Sequence, residues 1–129
     1  MLAIDTNIIV RFLTNDDPDQ AERAKSLIEG AEVFVATTVL LETEWVLRGA
    51  YRLAKSEVLV ALRAFAGIAT VRLEDPVRAE AALTLAAGGM DFADALHLAG
   101  ADGCEAFITF DQRLAKSASG AASIAVREP

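Results

Sequence analysis

The sequence predicts an α/β fold with a central, mostly parallel sheet flanked by helices, and three observations predict it. Short strand-like segments recur, as apolar runs at 2–4, 33–36 and 106–109 and as an alternating one at 70–73. Between them lie longer stretches whose apolar residues return every three or four positions, the helical period. Cap and proline signals mark where those stretches begin. Strands that alternate with helices pair in parallel and need both faces of their sheet covered.

Leu2-Ala3-Ile4 reads as a buried strand ending in Asp5, and Thr6 or Asn7 as the cap of a short helix through Ile8, Ile9, Val10, Phe12 and Leu13. Asn15-Asp16-Asp17-Pro18 is a stop and restart, with Asp17 as N-cap and Pro18 in the first turn of a helix reaching Glu29 and ended by Gly30. Val33-Phe34-Val35-Ala36 is the second strand. Thr37 or Thr38 then caps a longer helix carrying Leu41, Glu42, Trp45, Val46 and Leu47 and fading near Gly49. Ser56 starts a helix with Val58, Leu59, Leu62 and Phe65 on its apolar side and Gly67 as its stop. Thr70-Val71-Arg72-Leu73 alternates like a strand.

Asp75-Pro76 repeats the cap-plus-proline signal before an alanine-rich helix that runs to Gly88-Gly89. Asp91 opens a helix through Leu96 and Leu98 to about Ala101, closed by Asp102-Gly103. Ala106-Phe107-Ile108-Thr109 reads as a buried strand, Asp111 precedes a short helix over Arg113 and Leu114, and Ser123-Ile124-Ala125-Val126 reads as an edge strand. No repeat, low-complexity tract or linker interrupts the 129 residues, which suit a single domain.

Composition narrows the setting. No apolar run approaches the roughly 18 residues that span a bilayer. The start carries no basic leader, and a lone Cys104 suits a reducing compartment, so a cytoplasmic protein without membrane contact is expected. Twelve basic against nineteen acidic residues leave a net charge of −7. Taken alone, that opposes generic nucleic-acid binding, although a site depends on local charge.

The acids carry the chemistry. Ligands of open parallel sheets bind beyond the carboxyl ends of the strands, where Asp5 and Asp111 fall. Glu42 and Asp94 lie early in helices among apolar neighbours. Converging carboxylates repel and raise one another's pKa, a conflict that a divalent cation resolves, and oxygen-only ligands favour Mg²⁺ or Mn²⁺. Such ions support phosphodiester hydrolysis. There is no Walker loop or dinucleotide fingerprint, and the lone His97 has no nucleophilic partner at a telling spacing.

Asp5-Thr6-Asn7 after the first strand resembles the opening motif of PIN-domain nucleases. Leu41-Glu42 in the helix after the second strand, Asp94-Ala95-Leu96-His97-Leu98-Ala99, and Thr109-Phe110-Asp111 continue the match. The ordered set is similar to the toxin subunits of VapBC toxin–antitoxin pairs. The resemblance implies a PIN-like three-layer fold and an endoribonuclease using Mg²⁺ or Mn²⁺. It also implies Asp5, Glu42, Asp94 and Asp111 as catalytic, metal-binding acids, with Thr6, Asn7 and Thr109 as polar helpers and Asp91 as an extra acid. RNA as substrate, a small cognate antitoxin and a homodimer follow as expected partners. His97 stands where many relatives carry an aliphatic residue and receives no role.

Simpler readings exist for each acid. Asp91 and Asp111 both suit N-caps, and Asp94 suits a helix dipole. Glu42 could sit on a solvated face, a reading its apolar neighbours oppose, and Asp5 has the least structural use. The acids at 16, 17, 19 and 22 read as solvated loop and first turn, and Trp45 and the phenylalanines as core. Arg48, Arg52 and Lys55 after Glu42, and Arg113 and Lys116 after Asp111, are candidates for a basic rim that meets RNA. Rival functions are an aspartate-based phosphatase, weakened because Asn7 replaces the second Asp of haloacid-dehalogenase-like enzymes, and a non-catalytic acidic protein-binding module.

Overall fold

A computed structural model describes residues 1–129. Its order is β1 (Leu2–Ala3), α1 (Thr6–Thr14), α2 (Pro18–Gly30), β2 (Val33–Val35), α3 (Thr37–Gly49), α4 (Lys55–Ala66), β3 (Val71–Leu73), α5 (Pro76–Ala87), α6 (Phe92–Ala99), β4 (Ala106–Ile108), α7 (Gln112–Ala118) and β5 (Ala125–Arg127). The expected α/β class is what forms: seven helices and strands that pair only in parallel. The backbone divides into two compact units, Met1–Pro76 and Val77–Pro129. No helix is long and apolar enough to cross a membrane.

In the first unit the strands lie in the order β1-β2-β3, with α1 and α2 linking the first pair and α3 and α4 the second. Leu2 pairs with Val33, and Val33 in turn with Val71. Central β2 buries Val33 and Val35, while Leu2 on edge strand β1 is exposed, so the expectation of a buried first strand holds only from Ile4. The core adds Ile9, Ile28, Leu47, Leu62 and Phe65, each worth roughly 1.5–3 kcal/mol of transfer free energy when fully covered. Phe12 tilts against Phe65 with ring centroids 6.0 Å apart.

Local chemistry explains the joints. Asp17 accepts from the Gln20 amide and Pro18 opens α2, as the sequence predicts. Asn15 ends α1 in the left-handed region (φ 54°), which Asn tolerates better than most residues and which turns the chain toward α2. The cap of α1 is Asp5 rather than Thr6 or Asn7: its carboxylate accepts from the Ile8 amide. Neither Thr37 nor Thr38 caps α3 with its hydroxyl. Glu74, just after β3, accepts the Thr37 amide at 2.9 Å instead. Helix α4 likewise begins one residue early, at Lys55, without a side-chain cap.

The second unit pairs β4 with β5 around α7, with Phe107 opposite Val126. Strand β4 is only half covered, against the expectation of a buried strand, and Ile108 is exposed. Ala79, Ala82, Leu83 and Ala86 of α5 and Phe92, Ala95, Leu96 and Leu98 of α6 are buried, small residues allowing close approach of backbones. Arg78 Nε donates to the Leu96 carbonyl at 2.9 Å, and its guanidinium fills the place where a Cβ on Gly100 would stand.

Candidate functional site

Parallel pairing aligns the carboxyl ends of β1, β2 and β3, so Asp5, the start of α3 and Glu74 emerge at one edge of the first unit's sheet. Asp5 is exposed and uses Oδ1 for its cap, a structural use the sequence did not reveal, while Oδ2 is left for a ligand. Thr6 is buried, and its hydroxyl donates to Glu42 Oε1. That bond crosses from α1 to α3 and places Glu42 beside the residue that follows Asp5. Of the four proposed acids, the first unit thus ties Glu42 to the chain neighbour of Asp5 through the Thr6 hydroxyl.

Glu42 itself is exposed. The acid of α3 that the core covers is Glu44, which shares the buried face of Leu40, Thr43 and Leu47. Apolar neighbours in sequence pointed to Glu42; the three- and four-residue spacing from Leu40 and Leu47 points to Glu44. Glu44 is held by Arg48 one turn later, Nε to Oε1 at 2.8 Å, so its burial has a structural partner. Trp45 is 64% exposed and Phe110 79%, which overturns their assignment to the core.

The second unit gathers three acids. Asp91 caps α6 by accepting from the Asp94 amide with Oδ1, and Asp111 caps α7 with its Oδ1 from the amides of Arg113 and Leu114. The Thr109 hydroxyl accepts from the Asp111 amide at 2.9 Å and fixes the turn that presents this carboxylate. Partial burial, then the charges of Asp91 and Asp111, push the Asp94 carboxyl above its ordinary pKa, and His97 pulls it partly back. His97 is exposed on the same helix. Each cap uses Oδ1 alone and leaves the other carboxylate oxygen available, so capping does not exclude a further role.

Like-charged oxygen donors strained against each other suit a hard divalent cation in chemical type. Within neither unit are three such side chains already drawn together in a metal-holding group. Of the basic candidates, Arg48 is engaged with Glu44. Arg52 is exposed in a left-handed turn (φ 54°), and Arg113 and Lys116 are exposed on α7.

An open groove of about 520 Å³ lies in the first unit and is lined by Asp5 and Asn7, by Arg11 of α1, and by Gln20, Arg23 and Leu27 of α2. No reading of the sequence singled out Arg11, Gln20 or Arg23. Arg11 is fixed by Asp16, by the Tyr51 hydroxyl at 2.9 Å and by Gln20 Oε1 at 2.7 Å. Asp16 is thus no freely solvated loop acid: the Tyr51 hydrogen bond, with that from Thr14 and the charge of Arg11, holds its carboxyl below the ordinary value.

Among curated proteins none matches this chain. A family model described as "PIN domain" matches residues 2–119, across both units.

Proposed function

This chain belongs to the PIN-domain family of nucleases, and on that premise we propose that it is a metal-dependent endoribonuclease that hydrolyses RNA phosphodiester bonds. The observation that carries the metal dependence is Asp94, whose amide is bonded by Asp91 and whose proton affinity is raised by partial burial and then by the charges of Asp91 and Asp111. An acid so placed is relieved by a cation. Asp5, Glu42, Asp94 and Asp111 are the proposed metal-binding acids, with Asp91 as the extra one. Mg²⁺ or Mn²⁺ is the ion that oxygen-only donors favour.

A bound divalent ion supplies charge neutralisation at the phosphodiester and a more acidic water. The chain's own residues prepare that chemistry. Thr6 holds one oxygen of Glu42 and so orients the other. The caps made by Asp5 and Asp111 fix the rotation of each carboxylate while leaving one oxygen to bind. Thr109 sets the turn before Asp111, and Asn7 stands beside Asp5 in the groove as a polar contact for substrate. Oriented donors lower the reorganisation that a reacting phosphate would otherwise require.

The order of the motifs from Asp5-Thr6-Asn7 to Thr109-Phe110-Asp111 supports a finer reading: the toxin of a toxin–antitoxin pair, held by a small antitoxin, dimeric and cytoplasmic. One family model running across both units supports reading the chain as one domain. The test is incubation with a fluorogenic single-stranded RNA in Mn²⁺ or Mg²⁺, with chelator, Asp5→Ala and Asp94→Asn as controls. Cleavage abolished by all three establishes the activity at these acids. Cleavage that survives chelation, or no cleavage by protein freed of any co-purifying small partner, refutes it.

A further inference from the structure

The groove between α1 and α2 carries binding chemistry that the proposed reaction does not use. It opens beside Asp5 and its volume of about 520 Å³ lies within the roughly 300–1,000 Å³ of ligand clefts. Its lining holds two guanidinium groups and two side-chain amides beside the carboxylate of Asp5, on a chain whose net charge is −7. The carboxylates of Asp5, Asp16 and Asp19 stand near these guanidiniums, so what the groove offers an anion is directed N–H donors rather than a net positive field.

The two arginines differ in a useful way. Arg11 is locked: Nε and Nη1 are spent on Gln20, Asp16 and Tyr51, which leaves Nη2 with donor capacity. Its position therefore costs no ordering when a ligand arrives. Arg23 is less constrained by contrast. It is 77% exposed and its only ion pair is a loose one with Asp19 at 3.7 Å, the kind of surface pair that contributes little. Such a guanidinium exchanges an exposed carboxylate for a phosphate readily. Gln20 gives its oxygen to Arg11, so its NH₂ is left to donate, and Asn7 adds a second amide. Ile8 and Leu27, both half-buried, provide apolar surface for a ribose or base face.

We infer that this groove binds one nucleotide unit of the RNA strand flanking the bond to be cut, with Arg11 and Arg23 on the phosphate and Asn7 and Gln20 on the base or ribose. The assignment rests on the nuclease reading for its substrate. Its position follows from Asp5, which lines the groove and is a proposed metal ligand. A strand lying there brings its backbone to Asp5, and backbone contacts position while amide contacts discriminate.

The experiment measures fluorescence anisotropy of a short labelled single-stranded RNA with chelated protein, so that binding is read without cleavage. Arg23→Gln is compared with Lys25→Gln. Both remove one positive charge from α2, but Lys25 is an exposed residue outside the groove lining. Arg23→Gln is expected to weaken binding several-fold and to lower the salt slope by about one, and Lys25→Gln to do neither. Gln20→Ala should weaken binding while leaving the slope unchanged. Equal binding by Arg23→Gln and Lys25→Gln overturns the assignment, and would hand the groove to a protein partner instead. Metal-dependent cleavage lost in Asp5→Ala alongside that equality leaves the nuclease reading standing while the groove assignment falls. A groove-specific loss of RNA binding without any cleavage does the reverse.

Discussion

Removing the guanidinium from Arg48 should destabilise this protein far more than removing the carboxylate it holds. The side chain of Glu44 is 3% exposed and that of Arg48 41%. Arg48→Met keeps the aliphatic stem but leaves a carboxylate inside the first unit without its guanidinium. Breaking a buried pair from one side costs about 3–5 kcal/mol, and the half-open position of Arg48 lets water reach the edge of the site, which brings the expectation to about 2–3 kcal/mol. Glu44→Met replaces the buried charge by an apolar chain of similar volume and lets Arg48 turn to solvent, so its effect should stay within about 1 kcal/mol of either sign. Unfolding entropy for 129 residues is about 0.27 kcal/mol per kelvin, so Arg48→Met should lower Tm by about 7–11 °C. Glu44→Met should move it by less than about 4 °C. Thermal unfolding by circular dichroism reads both, and the double variant should recover most of the Arg48→Met loss. Equal losses for the two single variants, or a larger one for Glu44→Met, would refute the reasoning. The result also bears on RNA binding, because a charge reversal at Arg48 disturbs the core before it disturbs a basic rim.

The remaining predictions address the acids directly. In chelator, Asp94→Asn should raise Tm at neutral pH: a carboxyl whose folded pKa is raised contributes stability below its unfolded pKa and loses it as pH rises through the folded value, so the gain should vanish in acid. An unchanged difference from pH ~4 to ~7 would show that the part-buried, repelled carboxylate is not its source. Asp111→Asn should keep the α7 cap and near-wild-type stability yet lose cleavage, whereas Asp111→Ala should also lose about 1 kcal/mol; activity surviving in the Asn variant would reduce Asp111 to a cap. Thr6→Val should cost about 1 kcal/mol and cleavage together while Thr6→Ser restores both, as judged by denaturant melts and the RNA assay. Intact activity in Thr6→Val would remove Thr6 from the site.

Much of this protein was determined by local sequence alone. Asp17-Pro18 and Asp75-Pro76 marked the starts of α2 and α5, and apolar runs placed β2 and β4 and alternation β3, because cap chemistry and hydrophobic period act over a few residues. The ordered motifs carried the family, which the match over residues 2–119 then showed. Tertiary structure decided the rest. Which acid of α3 is buried depends on the face the helix turns to the core, and that face selects Glu44 over Glu42. The cap of α1 is a local contact made by Asp5, one residue before the expected Thr6, whereas the Thr37 amide at the start of α3 went to Glu74 because parallel β2 and β3 align their carboxyl ends and deliver a side chain distant in sequence to the same edge. The groove of Arg11, Gln20 and Arg23 arises only when α2 folds back beside α1, since no linear pattern joins residues nine and twelve positions apart on different helices. Helix starts are written in neighbouring residues; burial, pairing and clefts arise from surfaces that meet only after folding.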